Sequence, residues 1–157
     1  MLVWRISAAR HRARAFTGEG AVKYAARWHH KGTAIVYTSA TLALAALEMF
    51  ANLEPNDIST ELMAISAGIP AAVKILTMDA RALPLDWRDH PGPASLRELG
   101  SDWVRNGESA VLAVPSAIIP AERNYLLNPA HPDFRKLAIH PPAAFSFDPR
   151  MWKRTRA

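Results

Sequence analysis

From Gly32 to Leu53 the chain reads GTAIVYTSATLALAALEMFANL, and Glu48 is the only charged residue in the run. The first part is β-branched and aromatic. The second is rich in Ala and Leu. That change within one uncharged stretch predicts a buried strand over Ala34 to Thr38 that turns directly into a helix ending near Asn52, with Ser39 or Thr41 as the cap. Along the chain strands and helices are interspersed without a regular βαβ rhythm, which points to a compact mixed α/β or α+β domain rather than a doubly wound one. The run is too short and too divided to be a membrane helix, which needs roughly 20 consecutive apolar residues.

Glu48 then needs an explanation. An ionised carboxyl in an apolar setting costs several kcal/mol, on the order of transfer penalties, unless it is paired or hydrogen-bonded. Two readings fit the periodicity. Glu48 either lies on the solvent edge of an amphipathic helix or belongs to a functional site.

The remaining punctuation predicts a strand over Met1 to Ile6, a glycine-rich turn over Phe16 to Ala21, and paired strands over Leu62 to Ser66 and Val73 to Met78. It continues with a proline-rich loop over Ala82 to Pro93, a helix over Ser95 to Asn106 stopped by Gly107, and a buried strand over Val111 to Val114. His131 to Leu137 reads as a turn or short helix and Ala143 to Phe147 as a final strand. The stretch NYLLNPAHPDF, with Asn124 and Asn128, reads as a turn-rich structural element. The 157 residues are expected to form one domain, 1–157, without internal repeats.

No cysteine occurs, so disulfides, thiolate nucleophiles and Cys-type zinc sites are excluded. The absence fits a reducing compartment, and with an N-terminus unlike a secretory signal the expectation is a cytoplasmic location. The six histidines lack metal-ligand spacing, and no GxGxxG, GxxxxGK[ST] or GxSxG motif is present. The net charge of +5 gathers in Arg5, Arg10, Arg12 and Arg14 and in Arg150, Lys153, Arg154 and Arg156. A non-enzymatic nucleic-acid-binding module is one reading of those clusters. No aromatic ladder or recognition helix accompanies them, and solvated basic segments are the expectation.

Four further residues carry possible chemistry. Tyr37 ends the strand before the Glu48 helix and is either a core tyrosine or one wall of a cleft shared with the carboxylate. Arg27, beside Trp28, is either a surface arginine or a phosphate-binding guanidinium held flat by aromatic stacking. Arg5 interrupts LVWRI, which on an edge strand is ordinary and inside a sheet calls for an anion. Ser116 follows Pro115 at a strand end, where its hydroxyl suits hydrogen-bonded positioning better than nucleophilic attack.

ARWHHKGTAIVYTSATLALAALE followed by SDWVRNGESAVLAVPSAIIPAERNYLLNPAHPDF resembles the RES-domain family over nearly the whole chain. The resemblance implies an α+β domain with an ADP-ribosyltransferase-like mixed sheet flanked by helices. It also implies the toxin of a bacterial toxin–antitoxin pair that consumes NAD. Carried over, the residues that name the family fall on Arg27, Glu48 and Ser116 as catalytic residues, with Tyr37 and Arg5 binding substrate. NAD would be a substrate rather than a cofactor, with inorganic phosphate, water or a protein side chain as acceptor. The implied partner is a cognate antitoxin of the Xre-like, DNA-binding kind. Ala26 and His29 stand where the family usually has glycine and asparagine.

Overall fold

Eight strands form one sheet, flanked by three α-helices and several short 3-10 turns, in the computed structural model, which describes residues 1–53 and 61–152. In chain order the strands are β1 Leu2–Ala8, β2 Val36–Ser39, β3 Leu62–Gly68, β4 Ile75–Thr77, β5 Val111–Pro115, β6 Arg123–Leu127, β7 Ala138–Ile139 and β8 Ala143–Phe145. The helices are α1 Glu19–Lys23, α2 Leu42–Asn52 and α3 Ala94–Asn106. The sheet runs β4-β5-β6-β2-β1-β3-β7, with β8 also paired to β3. Among the described residues only β4 and β5 pair in parallel, so the domain is α+β with a mixed sheet.

The centre of the sheet is buried on both faces. All of VLAVP in β5 is buried, and Val111 and Leu112 enter different cores, as do Leu127 and Leu126 of β6. The first core also holds Val3, Val36 and Ile65, and the second gathers Trp28, Trp87, Leu96 and Trp103. A third cluster packs α2 through Ala45 against Ile6 and Ala64.

Two expectations from sequence fail here. β3 and β4 do not pair with each other: β3 lies against β1, β7 and β8, and β4 against β5. The two apolar runs look like a hairpin locally, but β4 takes the sheet edge in parallel with β5 instead. The second concerns NYLLNPAHPDF, of which only the latter part is turn-rich. Asn124 to Leu127 lie in β6, between β5 and β2, while the residues from Asn128 form a turn and the short 3-10 helix Pro132–Lys136. Turn-forming Asn and Pro at its edges obscured a strand that tertiary pairing stabilises. The glycine-rich turn runs into the short helix α1, and Lys153, Arg154 and Arg156 lie outside the described residues.

The transition inside the uncharged run occurs as its residues dictate. Thr41, in an extended conformation, accepts a hydrogen bond from the Leu44 amide at 3.0 Å and starts α2, a cap worth about 1 kcal/mol. Ser39 is not the cap, since its hydroxyl is committed to Asn124. α3 ends at Gly107, whose φ of 62° is the left-handed conformation glycine adopts without penalty.

α3 also fixes the segment that carries Arg27. Leu96, Gly100 and Trp103 share the buried face of the helix, and a Cβ placed on Gly100 would lie 1.8 Å from the Trp28 carbonyl oxygen. Ser101 accepts a hydrogen bond from the His30 amide at 3.0 Å, completing the contact. Gly100→Ala must therefore push the helix and the Trp28 segment apart. The expected loss is about 2–3 kcal/mol, the range for overpacking a tight contact, read from urea denaturation. A loss below about 0.5 kcal/mol would mean that the two segments separate freely.

Candidate active site

Glu48 does not sit on the solvent edge of α2. It lies four residues beyond Leu44 and three beyond Ala45, both buried, so helical geometry turns its side chain toward the sheet. There its Oε1 accepts hydrogen bonds from the Ser116 hydroxyl at 2.8 Å and from the Asn124 side-chain amide at 2.5 Å. Asn124 is oriented in turn by the Ser39 hydroxyl, which donates to its Oδ1 at 2.7 Å. Ser116 is wholly buried, and its oxygen accepts from the Ile118 and Ile119 amides, each at 3.1 Å. Both of those amides point at the oxygen, so its proton is left for Glu48. Among the described residues no hydrogen bond is recorded to Oε2, and the carboxylate is held by one oxygen with the other available.

Above this carboxylate lies a cleft of about 640 Å³. Ala45, Glu48, Met49 and Asn52 give it one wall from α2, while Trp4 to Ile6 of β1 and Tyr37 to Ser39 of β2 form its base. The remaining wall holds Arg27, His90 to Gly92 and Arg97. Three arginines against one glutamate make the cleft cationic, suited to an anionic ligand with a charge-separated reacting end.

The seam between β1 and β2 explains how Arg5 enters a sheet. The two strands share one register pair, Trp4 opposite Ser39, whereas β1 pairs with β3 at seven positions. Where the ladder lapses, the Arg5 guanidinium donates to the Tyr37 carbonyl at 3.0 Å, taking a bond that a neighbouring strand would otherwise supply. Its Nε is buried without a partner, and burial lowers the pKa of the group from its ordinary value. A cation left with an unsatisfied buried donor at the base of a cleft is suited to receive an anion.

Arg27 is presented by a tight turn in which Ala26 and His29 exchange backbone hydrogen bonds. Its Nη1 donates to the Trp87 carbonyl at 2.6 Å and to the Asp89 carbonyl at 2.9 Å. The aromatic stacking expected from sequence is replaced by this carbonyl hold, because Trp28 turns into the second core. Gly92 lies close enough that a Cβ there would come within 3.0 Å of Nη1. Burial lowers the Arg27 pKa, and the charge of Glu48 opposes that shift, placing the two groups within electrostatic reach across the cleft. Tyr37 is both wall and support: its phenol oxygen accepts from the Trp28 amide at 3.2 Å and lies 2.7 Å from His29 Nδ1. Burial raises its pKa, keeping it protonated.

Thus Glu48, Arg27, Arg5 and Tyr37 line one cleft, and Ser116 lies beneath it as the support of Glu48. Sequence reasoning missed Asn124, His29 and Arg97. Only the pairing of β6 with β2, which sets Asn124 opposite Ser39, places that amide beside α2. The basic N-terminal segment shows mainly local contacts: Arg14 pairs with Glu19, Arg12 donates to the Ala9 carbonyl and Arg10 contacts His11. Among the described residues, no three His, Asp or Glu side chains are grouped to hold a metal, and no helix is long and apolar enough to cross a membrane.

The RES domain family matches residues 2–148, and the chain belongs to this family of toxins. It is 35% identical over 152 residues to Toxin Res of Yersinia enterocolitica, covering 96% of this chain and 99% of that protein. It is 33% identical over 154 residues to the Prs ADP-ribosylating toxin of Sphingobium sp., covering 94% of each. The fold is similar to that in the M. tuberculosis MbcT–MbcA toxin–antitoxin complex, with a TM-score of 0.71 over 96% of this chain and 86% of the other at 17% identity.

The unpartnered Arg5 donor gives a direct test of whether that residue serves the fold. In Arg5→Met, losing the Tyr37 hydrogen bond and relieving the buried charge should roughly cancel, leaving stability within about 1 kcal/mol in thermal or urea melts. A loss above about 3 kcal/mol would make Arg5 a structural residue.

Proposed function

We propose that this chain is a toxin that cleaves the bond between nicotinamide and ribose in NAD. The observation that carries the reading is the Glu48 carboxylate, gripped through Oε1 by Ser116 and Asn124 in a cleft that Arg5, Arg27 and Tyr37 also line. Breaking the C1″–N bond sends its electron pair to the nicotinamide nitrogen and leaves positive charge on the ribose. A fixed carboxylate beside that ribose stabilises the charge as it develops, needing little reorganisation because its hydrogen bonds are already made. Nicotinamide leaves as a neutral molecule, so no general acid is required. An acceptor oxygen then bonds to C1″ and gives up its proton.

Arg5 and Arg27 suit the pyrophosphate, since planar guanidinium groups match phosphate oxygens. Tyr37 bounds the nicotinamide end. Ser116 acts through Glu48. With phosphate as acceptor the product is ADP-ribose 1″-phosphate; with water it is ADP-ribose.

A second reading is favoured by one observation, the name of the Sphingobium relative as an ADP-ribosylating toxin. In that case the acceptor is a protein side chain. NAD labelled in its adenylate half separates the two, because label on a macromolecule means transfer to protein and label in small molecules means NAD consumption. The solved neighbour is a toxin–antitoxin complex, and by extension a cognate antitoxin is the partner proposed for this chain. Exposed Tyr24 and Ile118 at or beside the cleft supply apolar surface for such a contact.

Purified protein incubated with NAD, with and without phosphate, should consume it with release of nicotinamide, the other product being named by its mass. Glu48→Gln keeps side-chain volume, removes the charge and should lower the rate at least about 100-fold, the scale for removing an electrostatic stabiliser. Arg27→Lys should raise KM more than it lowers kcat, because an ammonium lacks the planar fork. Unchanged turnover in Glu48→Gln would refute the role of Glu48.

A further inference from the structure

His29 is 1% exposed and makes hydrogen bonds through both ring nitrogens. Nε2 lies 3.1 Å from the Ala21 carbonyl and 2.9 Å from the Tyr24 carbonyl, and Nδ1 lies 2.7 Å from the Tyr37 phenol. Two carbonyls can only accept, so the proton resides on Nε2. Nδ1 is then the acceptor, and the Tyr37 O–H must donate to it. The phenol oxygen meanwhile accepts from the Trp28 amide, so every direction in this network is determined by the two carbonyls.

The same residue closes the turn that carries Arg27. Its backbone amide donates to the Ala26 carbonyl, and the Ala26 amide donates back to the His29 carbonyl. One imidazole therefore joins α1, the Arg27 turn and β2 at the edge of the cleft.

We infer that His29 is a positioning residue for this site: as the neutral Nε2–H tautomer it holds Tyr37 and the Ala26–His29 turn, and so sets where Arg27 projects. The inference rests on the reading of Arg27 and Tyr37 as substrate-binding groups. Protonation at Nδ1 turns the acceptor into a donor. The phenol then faces N–H groups from both Trp28 and His29, and its own proton has lost its acceptor, so the grip on the turn loosens.

The groups around the ring favour the neutral form near neutral pH. α1 contributes the Ala21 carbonyl and the following turn the Tyr24 carbonyl, while β2 contributes a phenol that stays protonated. His30, on the same turn, disfavours a charge on His29 and is itself paired with Glu98 of α3 at 2.9 Å. Burial is the largest influence and lowers the His29 pKa from its ordinary value, outweighing the two carbonyls. The unfolded chain therefore binds this proton at a higher pH than the folded one. Stability falls as pH drops below about 6.5 and stops falling below the folded value.

Two substitutions divide the functions of the ring. An Asn carboxamide oxygen reaches the place of Nδ1 and can accept from Tyr37 at any pH, whereas a Gln amide nitrogen reaches the place of Nε2 and can serve only the two carbonyls. At pH 7.5, with equal folded fractions confirmed by circular dichroism, His29→Asn should lose NAD within about threefold of the natural chain and His29→Gln should be at least about tenfold slower. The natural chain should lose activity as the pH falls below about 6.5, and His29→Asn should keep its activity there. Full activity in His29→Gln, or an identical pH profile in His29→Asn, would overturn the role.

Nitrogen NMR of the ligand-free protein tests the same role without NAD. His29 should show the Nε2–H tautomer, and the Arg27 Nε–H signal should shift with the His29 midpoint. An Nδ1–H tautomer, or an Arg27 signal that ignores the titration, would overturn the inference. If the natural chain consumes no NAD at any pH, the proposed reaction fails, and the NMR titration still decides what His29 does.

Discussion

Glu48 Oε1 is where the architecture of this protein converges. The helix α2 supplies the carboxylate, the segment after β5 supplies Ser116 and β6 supplies Asn124, so α2 is tied at one oxygen to two donors that lie 68 and 76 positions further along the chain. Each donor is itself constrained: Ser116 by two backbone amides and Asn124 by Ser39 of β2. A carboxylate on an otherwise uncharged helix face would be costly without those donors, and the donors would lack their acceptor without it. The order β5-β6-β2 is thus coupled to the position of a single side chain.

Around that point the site is assembled from features that a sheet optimised only for stability would avoid. The β1–β2 ladder has a single register pair, and the Arg5 guanidinium takes a backbone acceptor that a strand would otherwise satisfy. Arg27 is held from outside the sheet by carbonyls of the 87–89 segment, and α3 presses against the same turn at Gly100. Such departures from regular pairing are where a fold gives up stability for a binding surface. The surrounding core, with three tryptophans and Leu126, Leu112 and Val114 tightly buried, compensates by packing.

Much of the fold was legible from residues alone because its signals are local. The change from β-branched to Ala- and Leu-rich residues marks β2 and α2, Thr41 caps the helix, and Gly107 ends α3. β6 escaped because Asn124 and, beyond the strand, Asn128 and the prolines carry turn chemistry, while its strand character comes from lying between β5 and β2. The pairing of β4 with β5 escaped for a similar reason. Short apolar runs state that they will be buried, not against which neighbour.

The sequence by itself determined the lone carboxylate on its helix, the exclusion of cysteine chemistry, and the order of motifs that places the chain in the RES family. Those are properties of residue identity and spacing along the chain. Only the tertiary structure decided that Glu48 faces the sheet, that Ser116 lies beneath the cleft as a support, and that Asn124 and His29 belong to the same apparatus. The reason is physical. A hydrogen bond between Glu48 and Asn124 spans 76 positions in sequence, and its existence depends on strand order and register, which no local pattern encodes.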